Sequence, residues 1–236
     1  MISKNQIKFI HQLEQKKYRQ KEQLFVAEGP KVVGDLMRAG FTPTMLFSTT
    51  ERTDAQQVTA DELRRLSFLQ HPQEVLAVFP IPQQSKQLPT DTLAIALDGI
   101  QDPGNLGTII RIADWFGIDH IYCSEDTVDA WNPKVVQATM GSIARVNIIY
   151  TDLGTLIDST TLPVYGTLLD GNDIYRQPLT PNGIIVMGNE GNGISQHIRA
   201  KVTHRLLIPS FRQGDGAESL NVAIATAIVC SEFRRR

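Results

Sequence analysis

Three polar, glycine-rich loops in the second half of the chain carry the residues that could do chemistry. Each follows a short apolar run typical of a buried strand, in LDGIQDPGNLGTIIRIADWFG, GIIVMGNEGNGIS and LLIPSFRQGDGAESLNVAIATAI. The polar side chains of interest are Asn105, Arg111, Glu190, Ser219 and Asn221. Polar groups at the ends of buried parallel strands are where α/β proteins build ligand sites. The three loops together therefore predict one composite site.

Two of these residues have an ordinary structural interpretation beside the functional one. Arg111 lies about two turns into the helix that the first loop opens. Its guanidinium could hold phosphate or ribose oxygens, or form a salt bridge with Asp98 or Asp114, and the residue types alone slightly favour the salt bridge. Ser219 is a natural N-cap for the apolar helix that follows it, and Asn221 would face either that cap or the site.

The second loop places Glu190 among Gly188, Gly191 and Gly193. Its spacing is not G-x-G-x-x-G, and no lysine follows as in a P-loop. A carboxylate would repel a phosphate, so Glu190 suits a ligand with hydroxyls, an amine or a sulfonium. The missing dinucleotide pattern also argues against a nucleotide-dependent oxidoreductase.

Composition excludes several classes of protein. The chain has 236 residues, 42% of them hydrophobic and 20% charged, with a formal net charge of −2, as in ordinary soluble globular proteins. No apolar run is long enough to cross a bilayer, and the N-terminus is too polar for a signal peptide, so we expect a cytoplasmic protein. Cys123 and Cys230 are isolated, which predicts buried reduced thiols and no metal site.

Positive charge is concentrated at the two ends of the chain. Residues 1–24 contain six basic residues and two acidic ones, and the chain ends in Arg234, Arg235 and Arg236. Such patches could contact RNA phosphates. They could equally be a solvated helix face and a solubilising tail, and charge alone does not decide between these interpretations.

A proline-rich stretch, FPIPQQSKQLPTD over residues 79–91, predicts a boundary between two domains. We therefore expect a small α/β domain over 1–80, a linker over 81–90 and a larger domain over 91–236. The first domain begins with a helix predicted over 5–18. In the second, apolar strands alternate with helices predicted over 105–116, 133–143, 152–158, 195–201 and 219–233, which indicates a parallel sheet with helices on both faces.

The three loops, in this order, resemble the motifs of the SpoU class of SPOUT RNA methyltransferases. The matches are N-x-G-x-x-x-R at Asn105, Gly107 and Arg111; G-x-E-x-x-G at Gly188, Glu190 and Gly193; and I-P…S-L-N-V at Ile208, Pro209 and residues 219–222. The resemblance covers 91–236, and the N-terminal unit looks like the small α/β RNA-binding domain that often precedes this class. The stretch SFRQGDGAE after Pro209 is a few residues longer than usual, which puts the substrate-facing shape in doubt.

The resemblance implies a C-terminal trefoil knot and an S-adenosylmethionine site. It assigns to that site Thr167, Leu168, Gly188, Asn189, Glu190, Gly191, Ile208, Pro209, Ser219, Leu220 and Asn221. It implies methyl transfer to a ribose 2′-hydroxyl of RNA, with Arg111 beside the 2′-oxygen and with Asn105, Glu190, Ser219 and Asn221 positioning ribose and cofactor. It also implies a homodimer that completes the active site, and ribosomal rather than transfer RNA as substrate.

Three other functions stay open at this stage. One is 2′-O-methylation of transfer RNA, another is methylation of a base by an enzyme of the same superfamily, and a third is RNA binding by a catalytically inactive protein of this fold.

Overall fold

The computed structural model describes residues 1–83, 88–212 and 215–235, which form two compact units. Unit 1 comprises residues 1–83 and 129–145, and unit 2 comprises residues 84–128 and 146–236. The division between the units after Gln83 falls within the proline-rich stretch, and residues 84–87 of the predicted linker over 81–90 lie outside the described residues. The segment 129–145, which the sequence assigns to the second domain, packs with the N-terminal residues instead.

Unit 1 is built around a four-stranded sheet in the order β1-β4-β2-β3. Its strands are β1 (Leu24–Glu28), β2 (Met45–Ser48), β3 (Gln56–Gln57) and β4 (Val75–Pro80), and its first four helices are α1 (Lys4–Gln12), α2 (Lys16–Glu22), α3 (Pro30–Arg38) and α4 (Ala60–Leu66). One core cluster joins the apolar faces of α1 and α4 to the sheet, including Ile10, Leu13, Val26, Leu66 and Val78. The alternating α/β pattern thus folds as expected, with β3 as an unpredicted short strand.

The single helix predicted over 5–18 is wrong, because the chain turns between α1 and α2. The guanidinium of Arg19 is buried and donates to the carbonyls of Leu13 (2.7 Å) and Glu14 (2.6 Å) at that turn. It also pairs with Asp129 at 2.6 Å. Arg19, one of the basic residues that the sequence analysis counts as a charged patch, therefore stabilises the break between two helices. Its ion pair with Asp129 also joins segment 129–145 to the rest of unit 1.

Unit 2 contains a six-stranded sheet in the order β10-β8-β9-β5-β6-β7, in which every pair of neighbours is parallel. The strands are β5 (Leu93–Asp98), β6 (His120–Cys123), β7 (Asn147–Tyr150), β8 (Val164–Asp173), β9 (Gly183–Gly188) and β10 (His204–Leu207). The remaining helices of the chain are α5 (Pro103–Trp115), α6 (Pro133–Ala138, in unit 1), α7 (Leu153–Asp158), α8 (Gln196–Arg199) and α9 (Val222–Arg235).

Both faces of the central strands are buried. Ala94 and Val186 pack in one cluster with apolar residues of α7 and α8. The alternate residues Ile95, Leu97 and Ile185, which point to the opposite face, are fully buried as well. The predicted parallel sheet is confirmed, and it brings the carboxyl ends of its strands to one edge.

Five helices begin directly after a polar residue whose side chain caps them. Ser3, Thr59, Asp102, Asn132 and Asp152 each accept a backbone amide of the first turn that follows. The cap predicted at Ser219 is wrong, because α9 begins three residues later. Asn221 takes that role, and its Oδ1 accepts the amides of Ala223 (2.9 Å) and Ile224 (3.2 Å).

Both cysteines are buried and unpaired, as predicted. Burial raises the pKa of the Cys123 thiol, and it raises the pKa of Cys230 to about 12. Neither thiol is therefore reactive at neutral pH. In the stretches of chain that the structure describes, no helix combines the length and apolar character needed to span a membrane.

The C-terminal arginines have structural partners. Arg234 donates to the carbonyls of Phe116 (2.8 Å) and Gly117 (2.7 Å) at the end of α5, and Arg235 pairs with Glu232 at 2.8 Å. Arg236 lies outside the described residues. Arg234 and Arg235 therefore have a structural role at the helix ends. The sequence alone also allowed these two residues to contact RNA phosphates.

Candidate functional site

The first predicted loop is fixed by its own polar groups. Asp102 precedes α5 and its carboxylate accepts the amide of Asn105 at 2.8 Å, while Pro103 occupies the first helical turn, where a missing amide costs nothing. Gly99 has φ of +75°, a conformation that L side chains rarely adopt, and its amide donates to Ser124 Oγ at 2.8 Å. The start of α5 is thereby held at the carboxyl end of β5.

The second loop closes on itself directly after β9. The amide of Asn189 donates to the carbonyl of Gly193, and the amide of Gly193 donates back to Asn189, both at 2.9 Å. A Cβ on Gly188 would lie 2.2 Å from backbone atoms of Gly193 and Ile194, so only glycine fits there. This close backbone approach places Glu190 at the tip of a tight turn.

Asn189 joins the second loop to the first. Its Nδ2 donates to the carbonyl of Gly99 at 2.7 Å, and its Oδ1 accepts the amides of Gly191 (2.9 Å) and Asn192 (3.0 Å). One side chain therefore organises the glycine-rich turn and also anchors it beside β5.

Asn105, Glu190 and Asn221 meet in one chain of hydrogen bonds. Asn221 Nδ2 donates to Asn105 Oδ1 at 2.9 Å, and Asn105 Nδ2 donates to Glu190 Oε1 at 3.0 Å. The backbone amides of Gln101 and Asp102 also point at the Glu190 carboxylate, each at 3.3 Å. Residues separated by 116 and 85 positions in the sequence thus converge, one from each predicted loop.

The Glu190 carboxylate is stabilised in its ionised form. Partial burial opposes ionisation, but the hydrogen bonds from Asn105 and from the backbone amides of Gln101 and Asp102 lower its pKa below the ordinary value of 4.5. At neutral pH Glu190 is therefore ionised, and its two carboxylate oxygens accept hydrogen bonds from a fixed set of donors.

The other predicted cofactor residues lie at the same edge of the sheet. Thr167 follows the β8–β9 pairing of Gly166 with Val186, and its hydroxyl donates to the Val186 carbonyl at 3.1 Å. Leu168 beside it is buried. Ile208 and Pro209 directly follow β10 and are half-buried.

Ser219, Leu220 and Arg111 are outside the hydrogen-bonded cluster. All three are exposed. Arg111 lies on the same helix as Asn105 but six residues later, about 240° around the axis and about 9 Å along it. Among the described residues no ion pair joins Arg111 to Asp98 or Asp114, and Asp98 instead accepts the amide of Ser195 at 2.7 Å. The salt bridge that the residue types favour is therefore absent from the described part of the chain.

Comparison with known proteins identifies the family. Residues 92–231 match the SpoU rRNA Methylase family, and residues 4–77 match the MRM3-like substrate binding domain. The chain belongs to the SpoU rRNA methylase family. The resemblance found in the sequence motifs is thereby confirmed.

Several known proteins of similar length match this chain over nearly its full length. It is 31% identical to the 23S rRNA (guanosine(2553)-2'-O)-methyltransferase RlmP of Bacillus subtilis, over 98% of this chain and 97% of that protein. An AdoMet-bound rRNA methyltransferase from Sinorhizobium meliloti superposes with a TM-score of 0.89 at 30% identity, covering 100% of this chain and 96% of that one. A protein of the TrmH family from Porphyromonas gingivalis gives 0.88 at 42% identity, covering 100% and 99%.

Sequence reasoning missed the backbone donors of this SpoU-family site. The amides of Gln101 and Asp102 bind Glu190, and Asp98 binds the amide of Ser195. The signal for the first two was present, since Asp102 followed by Pro103 is typical of a helix start with free amides nearby. No pattern in the sequence indicates which carboxylate those amides would meet.

Proposed function

We propose that this chain transfers a methyl group from S-adenosylmethionine to a ribose 2′-hydroxyl of ribosomal RNA. The observation that carries the proposal is the Asn221–Asn105–Glu190 chain of hydrogen bonds at the carboxyl edge of the parallel sheet. It joins all three sequence motifs in one place, within a chain of the SpoU family.

The loops at this edge fit a nucleoside cofactor. In the turn from Gly188 to Gly191, Gly188 lets two stretches of backbone approach closely, and Thr167 and Leu168 lie on the neighbouring strand β8. Ile208 and Pro209 follow the next strand of the sheet, so their backbone would face the same space. We assign the cofactor to these loops together with Asn189, Ser219, Leu220 and Asn221.

S-adenosylmethionine, when bound, supplies an electrophilic methyl group. The protein must align the weakly nucleophilic 2′-hydroxyl with it, and alignment alone accounts for much of the rate acceleration in such reactions. Asn105 and Asn221, locked together and to Glu190, would orient the ribose and the cofactor. Arg111 would hold an RNA phosphate and stabilise charge developing on the 2′-oxygen, while the phosphate or a water takes the proton. A guanidinium does not deprotonate in proteins, so Arg111 is no general base.

The position of Arg111 supports an active site shared by two subunits. On its own helix it points well away from Asn105, along the face that also carries Trp115, which is 85% exposed. α9 packs against α5. Ile224 on α9 and Leu220, two residues before its start, are 53% and 49% exposed. Apolar side chains exposed on two packed helices suit an isologous interface. We infer a homodimer in which Arg111 serves the site of the partner subunit.

Mixing two inactive variants tests this arrangement. Arg111→Ala and Glu190→Ala should each abolish methyl transfer while the Arg111 variant still binds S-adenosylmethionine. If Arg111 acts across the interface, mixed dimers have one intact site, and an equal mixture recovers about a quarter of wild-type activity. No recovery, with dimers demonstrated by sedimentation, would place Arg111 and Glu190 in the same subunit's site.

The reaction and the RNA are tested separately. Purified protein, labelled S-adenosylmethionine and ribosomal or transfer RNA should give label in ribosomal RNA, and digestion to nucleosides should find it on ribose. Label on a base, or in transfer RNA alone, would contradict the proposal. Mapping 2′-O-methyl groups in RNA from cells with and without the protein then identifies the nucleotide.

Two finer expectations accompany this function. We infer the trefoil knot of the family from the resemblance of the sequence motifs. The cytoplasmic location stays a prediction.

A further inference from the structure

A bulge in strand β8 carries the first pair of residues that we assign to the cofactor. Arg205 and Leu206 are adjacent in β10, but their partners in β8, Gly166 and Asn172, are separated by residues 167–171. We call this segment the β8 bulge. Because the assigned threonine and leucine are its first two residues, its shape bears directly on the cofactor site.

Both ends of the β8 bulge are held against the sheet. At its start, the hydroxyl of Thr167 donates to the carbonyl of Val186 at 3.1 Å. At its end, a Cβ on Gly171 would lie 2.5 Å from the carbonyl carbon of Leu206, so only glycine allows this approach of two backbones. The outer part of the bulge, residues 169 and 170, is exposed.

Two arginines from other elements hold that outer part. Arg199, the last residue of α8, donates to Asp170 Oδ2, and Nη1 of Arg205 on β10 lies 3.0 Å from the same oxygen. The start of α8 is itself fixed, since the amide of Ser195 donates to Asp98 at 2.7 Å. One carboxylate therefore joins the β8 bulge to two elements that are placed independently of it.

These two elements are continuous with the other cofactor loops. α8 follows the glycine-rich turn after β9, and β10 leads directly into Ile208 and Pro209. The ion cluster of Asp170, Arg199 and Arg205 thus lies where the three segments assigned to the cofactor are connected.

The cluster is open to solvent, with exposed fractions of 50% for Asp170, 39% for Arg199 and 47% for Arg205. Exposed ion pairs contribute little to the stability of a whole domain. The consequence of this cluster is therefore local, because it restricts the outer part of the β8 bulge.

We propose that Asp170 is a positioning residue for the S-adenosylmethionine site, where it is held by Arg199 and Arg205 and keeps the β8 bulge in the shape that binds the cofactor. When the bulge samples other shapes, the apparent dissociation constant of the cofactor rises in proportion to the binding-competent fraction that is lost. Asp170 does not touch the reacting atoms. The proposal rests on the proposed function for the identity of the cofactor.

Cofactor affinity of the full-length protein tests this role. Asp170→Asn should raise the dissociation constant for S-adenosylmethionine, measured by calorimetry, about threefold to tenfold. It should leave kcat at saturating cofactor and the affinity for ribosomal RNA near the wild-type values. Unchanged cofactor affinity would overturn the proposal.

Asp158→Asn is the matched control. Asp158 accepts from Lys201 at 2.6 Å, and Lys201 lies in the connection between α8 and β10. The control therefore also removes a carboxylate that pairs with this part of the chain. Asp158 belongs to α7 rather than to a cofactor loop, so cofactor affinity should not change.

Salt separates the charge of Asp170 from its packing. The ratio of the dissociation constants of Asp170→Asn and wild type should fall towards one between about 0.1 M and about 1 M KCl, over which the Debye length shrinks from about 10 Å to about 3 Å. Taking the ratio removes the salt dependence that the charged cofactor itself contributes. A ratio that stayed constant would mean that packing of the side chain holds the bulge, and it would overturn the ion cluster.

The arginines supply a test that does not alter the bulge itself. The double variant Arg199→Gln with Arg205→Gln should weaken cofactor binding as much as Asp170→Asn does, and adding Asp170→Asn to it should have no further effect. If the double variant kept its cofactor affinity and lost affinity for ribosomal RNA, the two arginines would be phosphate contacts and the proposal would be overturned.

The outcomes distinguish this proposal from the proposed function. If the wild type methylates ribosomal RNA but Asp170→Asn binds the cofactor as Asp158→Asn does, the positioning role is wrong and the function stands. If the wild type transfers no methyl group but binds S-adenosylmethionine with an affinity that depends on Asp170 and on salt, the function fails and the positioning role stands. A wild type that does not bind S-adenosylmethionine would overturn both.

Discussion

Asn221 donates a hydrogen bond of 2.9 Å to Asn105, across 116 positions of the sequence. Both polar atoms of the Asn105 side chain are hydrogen-bonded, because its Oδ1 accepts from Asn221 and its Nδ2 donates to Glu190. Asn221 likewise uses its Oδ1 to cap α9. The start of α9, the start of α5 and the glycine-rich turn are therefore held in register by two side-chain amides, and a change in either amide affects all three loops.

Asn105→Asp should reduce methyl transfer at least about tenfold at neutral pH. The new carboxylate can still accept from Asn221, but it places a second negative charge against Glu190, where Asn105 now donates at 3.0 Å. Two adjacent carboxylates cannot both ionise freely, so one of them has a raised pKa. Activity measured against pH should therefore recover partly as the pH is lowered.

Asn192→Asp is the matched control, since Asn192 is exposed in the same glycine-rich turn, and within the described part of the chain its backbone amide, not its side chain, makes a hydrogen bond. It should retain near wild-type activity. Full activity in Asn105→Asp would show that the hydrogen bond to Glu190 has no part in the reaction.

The contribution of Glu190 to stability should depend on pH. Its pKa is lowered in the folded protein, so the folded state favours the ionised form more than the unfolded state does. The resulting stabilisation is fully present above the ordinary value of 4.5 and is lost as the pH falls through the lowered folded value. Glu190→Gln should therefore reduce the free energy of unfolding at pH about 7, and the difference from wild type should shrink below pH about 4.

Urea unfolding of both proteins across this range measures the difference directly. Glu218→Gln makes the same chemical change at an exposed position and should track the wild type. A difference between wild type and Glu190→Gln that stayed constant with pH would mean that packing of the side chain, rather than its charge, stabilises the turn.

Much of the fold was predictable because its signals are local. Apolar runs predicted the strands of the parallel sheet, and polar, glycine-rich stretches predicted the loops that follow β5, β9 and β10. The capping oxygen of Asp102 likewise acts within one helical turn. Asn105, Glu190 and Asn221 could be singled out by residue type and by family resemblance, but residue types alone do not specify that they bond to one another.

The errors come from partners that are distant in sequence. Nothing near residue 13 indicates a helix break, because the carbonyls there are held by Arg19, which in turn needs Asp129. The sequence places segment 129–145 in the second domain. Composition indicates where a linker lies, but it does not indicate which of two hydrophobic cores a later helix packs into. Ser219 looked like a cap, but Asn221 supplies a side-chain oxygen closer to the first free amides of α9.

Arg19→Ala should destabilise unit 1 by about 3 to 5 kcal/mol, the usual cost of removing one partner from a buried ion pair. The side chains of Arg19 and Asp129 are only 2% and 12% exposed, and two carbonyls would also lose their donor. Unfolding of unit 1 is followed by the fluorescence of Trp131, which lies in that unit with its ring centroid 4.6 Å from that of Phe25. The measurement uses a Trp115→Phe background, in which Trp131 is the remaining tryptophan. Lys21→Ala, which removes an exposed cation of the same helix, should shift the unfolding midpoint little. Equal stability of Arg19→Ala and Lys21→Ala would exclude Arg19 as the residue that joins segment 129–145 to unit 1.

Arg234→Ala should lower the free energy of unfolding of unit 2 by about 1 to 2 kcal/mol, because the last carbonyls of α5 lose two charge-assisted hydrogen bonds. The helix end would fray, so amide hydrogen exchange should accelerate in the last turn of α5. It should remain unchanged in α7, to which Arg234 makes no hydrogen bond among the described residues. Arg176→Ala is the control in the same unit, since Arg176 is 84% exposed and pairs only with Asp173 among the described residues, and it should change stability by less than about 0.5 kcal/mol. If Arg234→Ala instead left stability and exchange unchanged but weakened RNA binding, the basic C-terminus would act on phosphate, as the sequence also allowed.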